Sequence, residues 1–170
     1  MHPYHHPLFI HFIVYFNRNQ DYFECHEVLE EYWKSIKNAD KTHPLTAFIL
    51  MSTGMYHFRR GNLKGAKRTL EGAKKRFHAI PDDSSLYMEE INVQAILDRI
   101  ADRILALENE EPFTPFQIEV LSPDLTLLVA EAEERMDLLQ AGSNAVIHKH
   151  MLRDRTDILL ERQKKKRGRL

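Results

Sequence analysis

The residue types best suited to chemistry follow one another in the segment Tyr22–Lys37, as His26, Glu30 and Trp33. A helix turns about 100° per residue, so a helix over this segment places the three side chains on one stripe. The stripe lies between the apolar face of the helix and its charged face. An imidazole and a carboxylate one turn apart can both reach a single cation, so this spacing indicates a metal site.

A third ligand is needed before this pair becomes a convincing site. An HxxxE pair on a helix is often only an exposed contact worth ~0.2–0.5 kcal/mol, and taken alone we favour that structural interpretation. The next helix offers His57, one turn after Gly54, whose lack of a side chain lets a neighbouring helix come close. If the two helices pack antiparallel, His26, Glu30 and His57 form a two-histidine, one-carboxylate set. Such a set suits zinc or another divalent metal with open positions for water.

The segment Tyr22–Trp33 resembles a prokaryotic family known as domain of unknown function 309. The resemblance implies a helical fold. It also implies metal binding by the shared HxxxExx(W/Y) motif, although no activity is established for the family. The motif falls on His26, Glu30 and Trp33 in this chain.

A second segment, His57–Ala66, also matches the family, and it places His57 and Asn62 at shared positions. The resemblance is firm over about residues 8–80 and extends more loosely to His148–Arg155. It supports a divalent metal, zinc or another, as the cofactor.

Other reactive residues carry weaker signals. Cys25 is adjacent to His26, but it lies in the apolar arc of the helix, so core packing is favoured over a role as nucleophile. His148 and His150 suit a metal pair only on a strand, and they lie in a helical pattern where i,i+2 residues face apart. We therefore expect His148 and His150 to lie on the surface.

Histidine is the unusual feature of the composition, with ten residues. Four of them, His2, His5, His6 and His11, lie near the N-terminus and could form a local cation-binding group. A frayed terminus is the interpretation we favour for them.

A small positive patch precedes the fourth predicted helix. Arg59 and Arg60 lie beside the corner Gly61-Asn62, and the free backbone N–H groups of a helix N-terminus can hold an anion. A solvated corner in which Gly61 and Asn62 simply make the turn is the favoured alternative.

The elements that must position these residues are predicted to be helical throughout. Only six glycines are present and no strand–turn–strand pattern occurs. The predicted helices cover Leu8–Phe16, Tyr22–Lys37, Pro44–Arg60, Leu63–His78, a long fifth helix from about residue 86 to Glu108, a sixth from Pro123 to Gly142, and a last from Ile147 to Gln163. A connection with Pro112 and Pro115 separates the fifth from the sixth.

Small and apolar residues at Leu50, Gly54, Ala66, Leu70 and Ala73 resemble half of a tetratricopeptide pattern. At most two such units are present, whereas a solenoid needs about three or more. The sequence therefore predicts an all-α, multihelical single domain over residues 1–163, built on antiparallel, tetratricopeptide-like helix hairpins. Residues 164–170 are predicted to form a basic, disordered tail.

Composition excludes several function classes. The chain has 170 residues, 24 basic and 25 acidic side chains, and a net charge of −1, which argues against a nucleic-acid-binding surface outside the C-terminal tail. The apolar stretch Leu8–Phe16 is too short to span a membrane. The single Cys25 fits a reducing compartment, so we expect a cytoplasmic protein.

Two functions follow as hypotheses. The first is a metal-binding protein, extended to a metal-dependent hydrolase, with His26, Glu30 and His57 as ligands and Trp33 as a wall of the site. The second is a non-enzymatic interaction module in which His26 and Glu30 only hydrogen bond. The expected partner is a small molecule or a protein, and a homodimer could form through the fifth helix.

Overall fold

The computed structural model describes residues 1–81, 86–149, 160, 162–166 and 168. The prediction of an all-α, multihelical fold is confirmed. The α-helices are α1 (Pro7–Val14), α2 (Tyr22–Ser35), α3 (Leu45–Arg60), α4 (Leu63–His78), α5 (Leu86–Glu89), α6 (Val93–Glu108), α7 (Pro123–Arg135) and α8 (Asn144–Ile147). A 3₁₀ turn (Pro3–His5) precedes α1, and a π-helical turn (Tyr15–Asn19) follows it.

Polar side chains fix where four of these helices begin. The side chains of Asp21, Asn62, Asn92 and Ser122 each accept a hydrogen bond from a backbone N–H in the first turn of α2, α4, α6 and α7. A helix leaves its first N–H groups without partners in the helix, so these residues satisfy donors that would otherwise be lost. The predicted starts of α2, α4 and α7 are therefore correct.

Helices α3 and α4 form a tight antiparallel hairpin. The turn between them contains Gly61 in the left-handed region (φ 86°), which favours glycine. A Cβ atom at Gly54 would lie 2.6 Å from Cδ2 of Leu70, so only glycine allows the two helices to approach this closely. The hairpin expected from the small-residue pattern is thus present, with Gly54 at its closest contact.

The N-terminus is folded, and the prediction of a frayed terminus is wrong. Tyr4 is fully buried, its ring stacks on Phe9 with centroids 4.1 Å apart, and its hydroxyl donates to the carbonyl of Tyr87. Burying an aromatic ring of this size removes a large apolar area from water, which offsets the entropy lost by ordering the first residues.

The predicted long fifth helix is also wrong, because the chain breaks at Glu90–Asn92. There the backbone pairs with a distant segment: the N–H of Asn92 donates to the carbonyl of Glu119, and the N–H of Leu121 donates to the carbonyl of Glu90. An isolated antiparallel β-bridge joins Ile91 to Val120. These backbone groups are taken up by another segment, so they cannot continue a helix.

Two further predictions concern the C-terminal third. The sixth predicted helix, now α7, ends at Arg135 rather than near Gly142, because Met136 is extended and the Leu139 carbonyl accepts a hydrogen bond from Asn19. The segment 150–159, which includes His150 and most of the last predicted helix, lies outside the described residues. Residues 162–166 are helical and exposed. The division into residues 1–163 and 164–170 stays a prediction.

The core runs through α1, α2, α3, α4 and α6. It contains many aromatic rings, among them the fully buried Phe9, Phe12, Phe16 and Phe48. Rings of Phe12 and Phe48 meet edge to face with centroids 5.7 Å apart. Among the described residues, no helix is long and apolar enough to cross a membrane.

Candidate metal site

Helix α2 carries the motif, and its first turn is held by buried charges. Asp21 is 1% exposed; its Oδ1 accepts from the N–H of Glu24, and its Oδ2 lies 2.7 Å from Nζ of Lys149. The same Nζ lies 3.2 Å from a Glu24 oxygen. Burial alone lowers the pKa of the Lys149 ammonium, but the hydrogen bond and charge of Asp21 outweigh it, so the pKa is raised. Lys149 therefore stays charged and fixes the start of α2.

The His26 imidazole lies between two carboxylates, one at each ring nitrogen. Nε2 is 3.3 Å from Oε2 of Glu30, and Nδ1 is 3.3 Å from Oε1 of Glu27. One ligand atom from each of these three side chains lies within 4.8 Å of the others, a spacing that could hold a metal ion. The His26–Glu30 pair is thus formed as the helical spacing predicted.

Glu30 has a second partner on its own helix. Its Oε1 forms an ion pair with Lys34, one turn further along α2. The hydrogen bond from Lys34 lowers the pKa of the Glu30 carboxyl, and the charge of His26 lowers it further, against the opposing effect of burial. Glu30 is therefore ionised at neutral pH, as a metal ligand must be.

A pocket of about 200 Å³ opens where the beginning of α2 meets the end of α3. It is lined by Tyr22, Phe23, His26, Glu27, Thr53, Tyr56, His57 and Arg60. Early residues of α2 face late residues of α3, so the two helices are antiparallel, which is the condition that the three-ligand hypothesis set. Glu30 lines an acidic groove along α2 instead, which Glu27 also lines, so the His26 ring stands between the pocket and this groove.

The hydrogen bonds of Asn62 determine which nitrogen of His57 carries a proton. The Oδ1 of Asn62 accepts from the N–H of Gly65 at the start of α4, which fixes the orientation of the amide. Its Nδ2 is then left 3.3 Å from Nδ1 of His57, as donor to a lone pair. Neutral His57 therefore carries its proton on Nε2. Among the described residues, the group around His26 whose ligand atoms lie within 4.8 Å of one another consists of His26, Glu27 and Glu30. His57 does not belong to it.

Gly65 permits this arrangement. A Cβ atom at Gly65 would lie 2.5 Å from Nδ2 of Asn62, too close for any other residue without moving the amide. Asn62 and Gly65 together set both the start of α4 and the tautomer of His57. The role of His57 as a metal ligand stays a prediction, and it would require its proton to move to Nδ1.

Trp33 does not line the pocket. Its indole Nε1–H donates to the carbonyl of Asp40 at 3.0 Å, and the ring is partly buried against the core. The side chain thus connects the end of α2 to the loop that leads into α3.

The two arginines of the predicted anion site differ. Arg59 donates from Nη1 to the carbonyl of Gln20 at 2.7 Å, and its guanidinium lies over the Tyr22 ring, 4.7 Å from the centroid. Arg60 lines the pocket and lies over the Tyr56 ring at 5.3 Å. Arg59 is therefore a packing residue between α3 and the segment before α2, and Arg60 alone faces the pocket.

Cys25 faces away from the site. Its thiol is fully buried and donates to the carbonyl of Phe12 at 3.6 Å. Burial raises the pKa of the thiol well above its ordinary value. A neutral thiol is a poor nucleophile and a poor metal ligand, which agrees with the prediction of a packing role.

Sequence reasoning missed Glu27 as a member of the group. Adjacent helical residues point about 100° apart, so helical geometry places Glu27 on the charged face of α2, away from His26. Its long side chain reaches back to the His26 ring all the same. The one sequence signal for this contact is the high density of acidic residues on α2. With several glutamates near His26, one of them can reach each ring nitrogen.

The chain is thus an all-α protein with an HxxxExxW helix packed against a central helical hairpin. The sequence profile of the family described as domain of unknown function (DUF309) matches residues 9–69, which contain most of α1, all of α2 and α3, and the motif. The chain is 30% identical over 162 residues to the uncharacterized protein YpuF of Bacillus subtilis (strain 168), covering 92% of this chain and 91% of that protein. It belongs to the DUF309 family. No solved structure matches it significantly.

Proposed function

We propose that this chain binds a divalent metal ion through His26 and Glu30 on α2, with Glu27 holding the His26 ring. The observation that carries the proposal is the imidazole with a carboxylate oxygen 3.3 Å from each nitrogen. Ligand atoms on a tetrahedral zinc ion, with bonds of 2.0–2.2 Å, lie about 3.3 Å apart. The distance from His26 Nε2 to Glu30 Oε2 already matches that spacing.

The two carboxylates have different roles in this proposal, because one ion can take only one nitrogen of the ring. His26 Nε2 and Glu30 are the ligands, and Glu27 accepts the Nδ1–H of the ring. A histidine ligand commonly donates its other N–H to a carboxylate, which fixes the tautomer and raises the basicity of the ligand. The donor set contains nitrogen and oxygen but no thiolate, which fits zinc and similar divalent ions.

Metal-dependent hydrolysis of a small molecule is the activity we propose for this site. A divalent ion would supply a Lewis acid that lowers the pKa of water toward ~7. The chain itself supplies a pocket with aromatic walls from Tyr22, Phe23 and Tyr56, which would exclude bulk water from a bound substrate. Arg60 offers a positive charge in the same pocket for an acidic group of the substrate.

The metal proposal is tested with the untagged full chain. After dialysis against Zn²⁺ and removal of excess ion, bound zinc is measured by elemental analysis. We expect His26→Ala and Glu30→Gln each to lower zinc affinity by about 10- to 100-fold relative to the natural chain. Glu31→Gln serves as the matched control, because Glu31 lines the same acidic groove on α2 without belonging to the group.

The hydrolysis proposal needs a separate measurement. The zinc-loaded chain is assayed with p-nitrophenyl acetate and p-nitrophenyl phosphate, which probe acyl and phosphoryl transfer to water. Turnover that depends on zinc and disappears in His26→Ala supports a hydrolase. Stoichiometric zinc without turnover on either probe would leave the metal site in place and remove the support for hydrolysis.

A non-enzymatic interaction module is the second candidate, and one observation favours it. Lys34 already neutralises Glu30, and each nitrogen of His26 lies 3.3 Å from a carboxylate oxygen, so contacts within α2 hold the group without an ion. In that case His26→Ala leaves zinc content unchanged and lowers only stability. The two candidates thus give opposite results in the same zinc measurement.

We also propose that the protein acts in the cytoplasm. The support is the single Cys25, which is a free, buried thiol and has no second cysteine to pair with in the chain. A chain without disulfides has no need of an oxidising compartment. Cell fractionation with an antibody to the chain tests this location.

A further inference from the structure

A second histidine–carboxylate cluster lies at the N-terminus, in residues that the motif does not include. The Nε2 of His5 is 2.9 Å from Oε1 of Glu90, and the Nδ1 of His2 is 3.0 Å from Oε2 of the same carboxylate. The side chains are 13%, 23% and 12% exposed for His2, His5 and Glu90. One ligand atom from each lies within 4.8 Å of the others.

The fold holds these three side chains in place before any ion arrives. Tyr4, between the two histidines, is buried and anchored by its hydroxyl to the carbonyl of Tyr87. Glu90 is fixed where the chain breaks between α5 and α6, since its carbonyl accepts from the N–H of Leu121. A cluster that is preorganised in this way loses little conformational entropy when it binds a ligand.

The hydrogen bonds of His2 leave one contact unexplained. The backbone N–H of Tyr4 donates to Nδ1 of His2 at 3.1 Å, so this nitrogen presents a lone pair. Oε2 of Glu90, which carries negative charge, lies 3.0 Å from the same nitrogen. Two lone pairs at this distance repel each other unless a positive charge lies between them. The Nε2 of His2 is also buried and has no hydrogen-bond partner among the described residues.

We propose that His2, His5 and Glu90 form a second divalent-metal site, which shares no residue with the group on α2. One nitrogen from each ring and the Glu90 carboxylate provide three ligands, and three protein ligands are the usual set for zinc with one position left open. Imidazole and carboxylate favour zinc, cobalt or nickel over magnesium or calcium. The two nitrogen–oxygen distances to Glu90, 2.9 and 3.0 Å, are close to the spacing of about 3.3 Å between ligand atoms on zinc.

The site has a structural role in this proposal. It links the first turn of the chain to the junction of α5 and α6, which is 85 residues away along the sequence from His5. An ion that binds only the folded chain stabilises it, and the stabilisation grows with the logarithm of the free ion concentration once this exceeds the Kd. Zinc should therefore raise the unfolding temperature through this cluster, independently of any activity in the pocket.

The test uses an untagged full chain in which the α2 group has been removed by His26→Ala and Glu30→Gln. This background is titrated with Zn²⁺ against a chromophoric zinc indicator, and with Co²⁺, whose visible absorption reports tetrahedral coordination. We expect one equivalent of zinc. Adding Glu90→Gln should lower the affinity by at least about tenfold, and His5→Gln should do the same.

His78→Ala is the control in the same background, because His78 is exposed at the end of α4 and outside both groups. It should leave zinc binding unchanged. Circular dichroism without metal shows whether each variant folds, and His5→Gln decides the matter if Glu90→Gln does not. The proposal is overturned if the background chain takes up no zinc, or if His5→Gln binds as much zinc as His78→Ala. Either result would leave a hydrogen-bonded cluster only.

Discussion

The two histidine–carboxylate groups of this protein use the same chemistry at very different distances along the chain. On α2, His26 and Glu30 are four residues apart, and each side chain is 33% exposed. At the N-terminus, His5 and Glu90 are 85 residues apart, and Glu90 is 12% exposed. The first group depends on one helix, whereas the second depends on the whole fold. The comparison predicts that mutations will affect the second group through stability and the first group mainly through metal binding.

The largest expected effect comes from Tyr4→Ala. Removing a fully buried aromatic side chain costs ~3–5 kcal/mol in the free energy of unfolding, measured by urea titration. The change should release His2 and His5 from Glu90 and abolish zinc binding there, while zinc binding to the α2 group persists. Tyr4→Phe, which loses only the hydrogen bond to the Tyr87 carbonyl, should cost ~0.5–1.5 kcal/mol and keep both sites. An equal loss of zinc binding at both sites in Tyr4→Ala would show that the two sites are not independent.

The metal-free chain allows a direct comparison of the two carboxylates. Glu90→Gln should lower the free energy of unfolding by ~1–3 kcal/mol, because it alters a buried hydrogen-bonded group. Glu30→Gln should change it by under ~0.5 kcal/mol, because the Lys34 contact lies at the surface. Urea titration of both variants in the presence of a chelator checks the difference. If the two variants lowered the free energy of unfolding by similar amounts, the Glu90 cluster would depend on the fold no more than the group on α2 does.

The pH dependence of stability should follow Glu90. Burial raises the pKa of its carboxyl, but hydrogen bonds from Ser122 and His5 lower it and outweigh the effect of burial. A carboxyl with a lowered pKa stabilises the fold above its ordinary pKa of about 4.3, and this stability is lost as the pH falls through the folded-state value. The stability gap between the natural chain and Glu90→Gln should therefore shrink below about pH 4.3.

Salt distinguishes Glu90 from Glu30 in the same experiment, since 1 M NaCl shortens the Debye length to about 3 Å. The small effect of Glu30 should disappear in salt, and that of Glu90 should remain. If salt also removed the difference in free energy of unfolding between the natural chain and Glu90→Gln, the contacts of Glu90 would be those of an exposed ion pair.

A smaller effect is expected at His57, which lines the same pocket as His26. If neutral His57 keeps its proton on Nε2, as Asn62 imposes, His57→Ala should change zinc affinity less than threefold, against 10-fold or more for His26→Ala. Asn62→Ala should cost ~1 kcal/mol through loss of the helix cap. A tenfold loss of zinc affinity in His57→Ala would instead establish His57 as a ligand. Isothermal titration calorimetry of the two histidine variants decides between these results.

The smallest effect is expected at Cys25, beside His26 in sequence but buried in the core. Burial raises the pKa of the thiol, so the folded chain should not react with Ellman's reagent at neutral pH, and the chain unfolded in guanidinium should react with one equivalent. Cys25→Ala should leave zinc affinity unchanged. Rapid labelling of the folded chain, or protection by zinc, would place the thiol at the metal site.

Local patterns predicted much of the fold. The starts of α2, α4 and α7 depend on a polar cap and the residues beside it, which are adjacent in sequence. The antiparallel α3–α4 hairpin followed from small residues such as Gly54, because glycine is needed wherever two backbones come this close. The single long fifth helix could not be excluded from sequence, since the break at Glu90 depends on backbone pairing with residues near Val120.

The sequence by itself determined the His26–Glu30 pair and the family, because helical geometry brings residues four apart onto one face. Only the tertiary structure decided which other groups join them. In the folded chain Trp33 donates to the carbonyl of Asp40 in a loop, and His57 contacts Asn62. Glu90 lies beside two histidines at the N-terminus. Contacts of this kind form between residues far apart in sequence, and they exist only once the buried aromatic rings have packed and the chain has paid the entropy of ordering its ends.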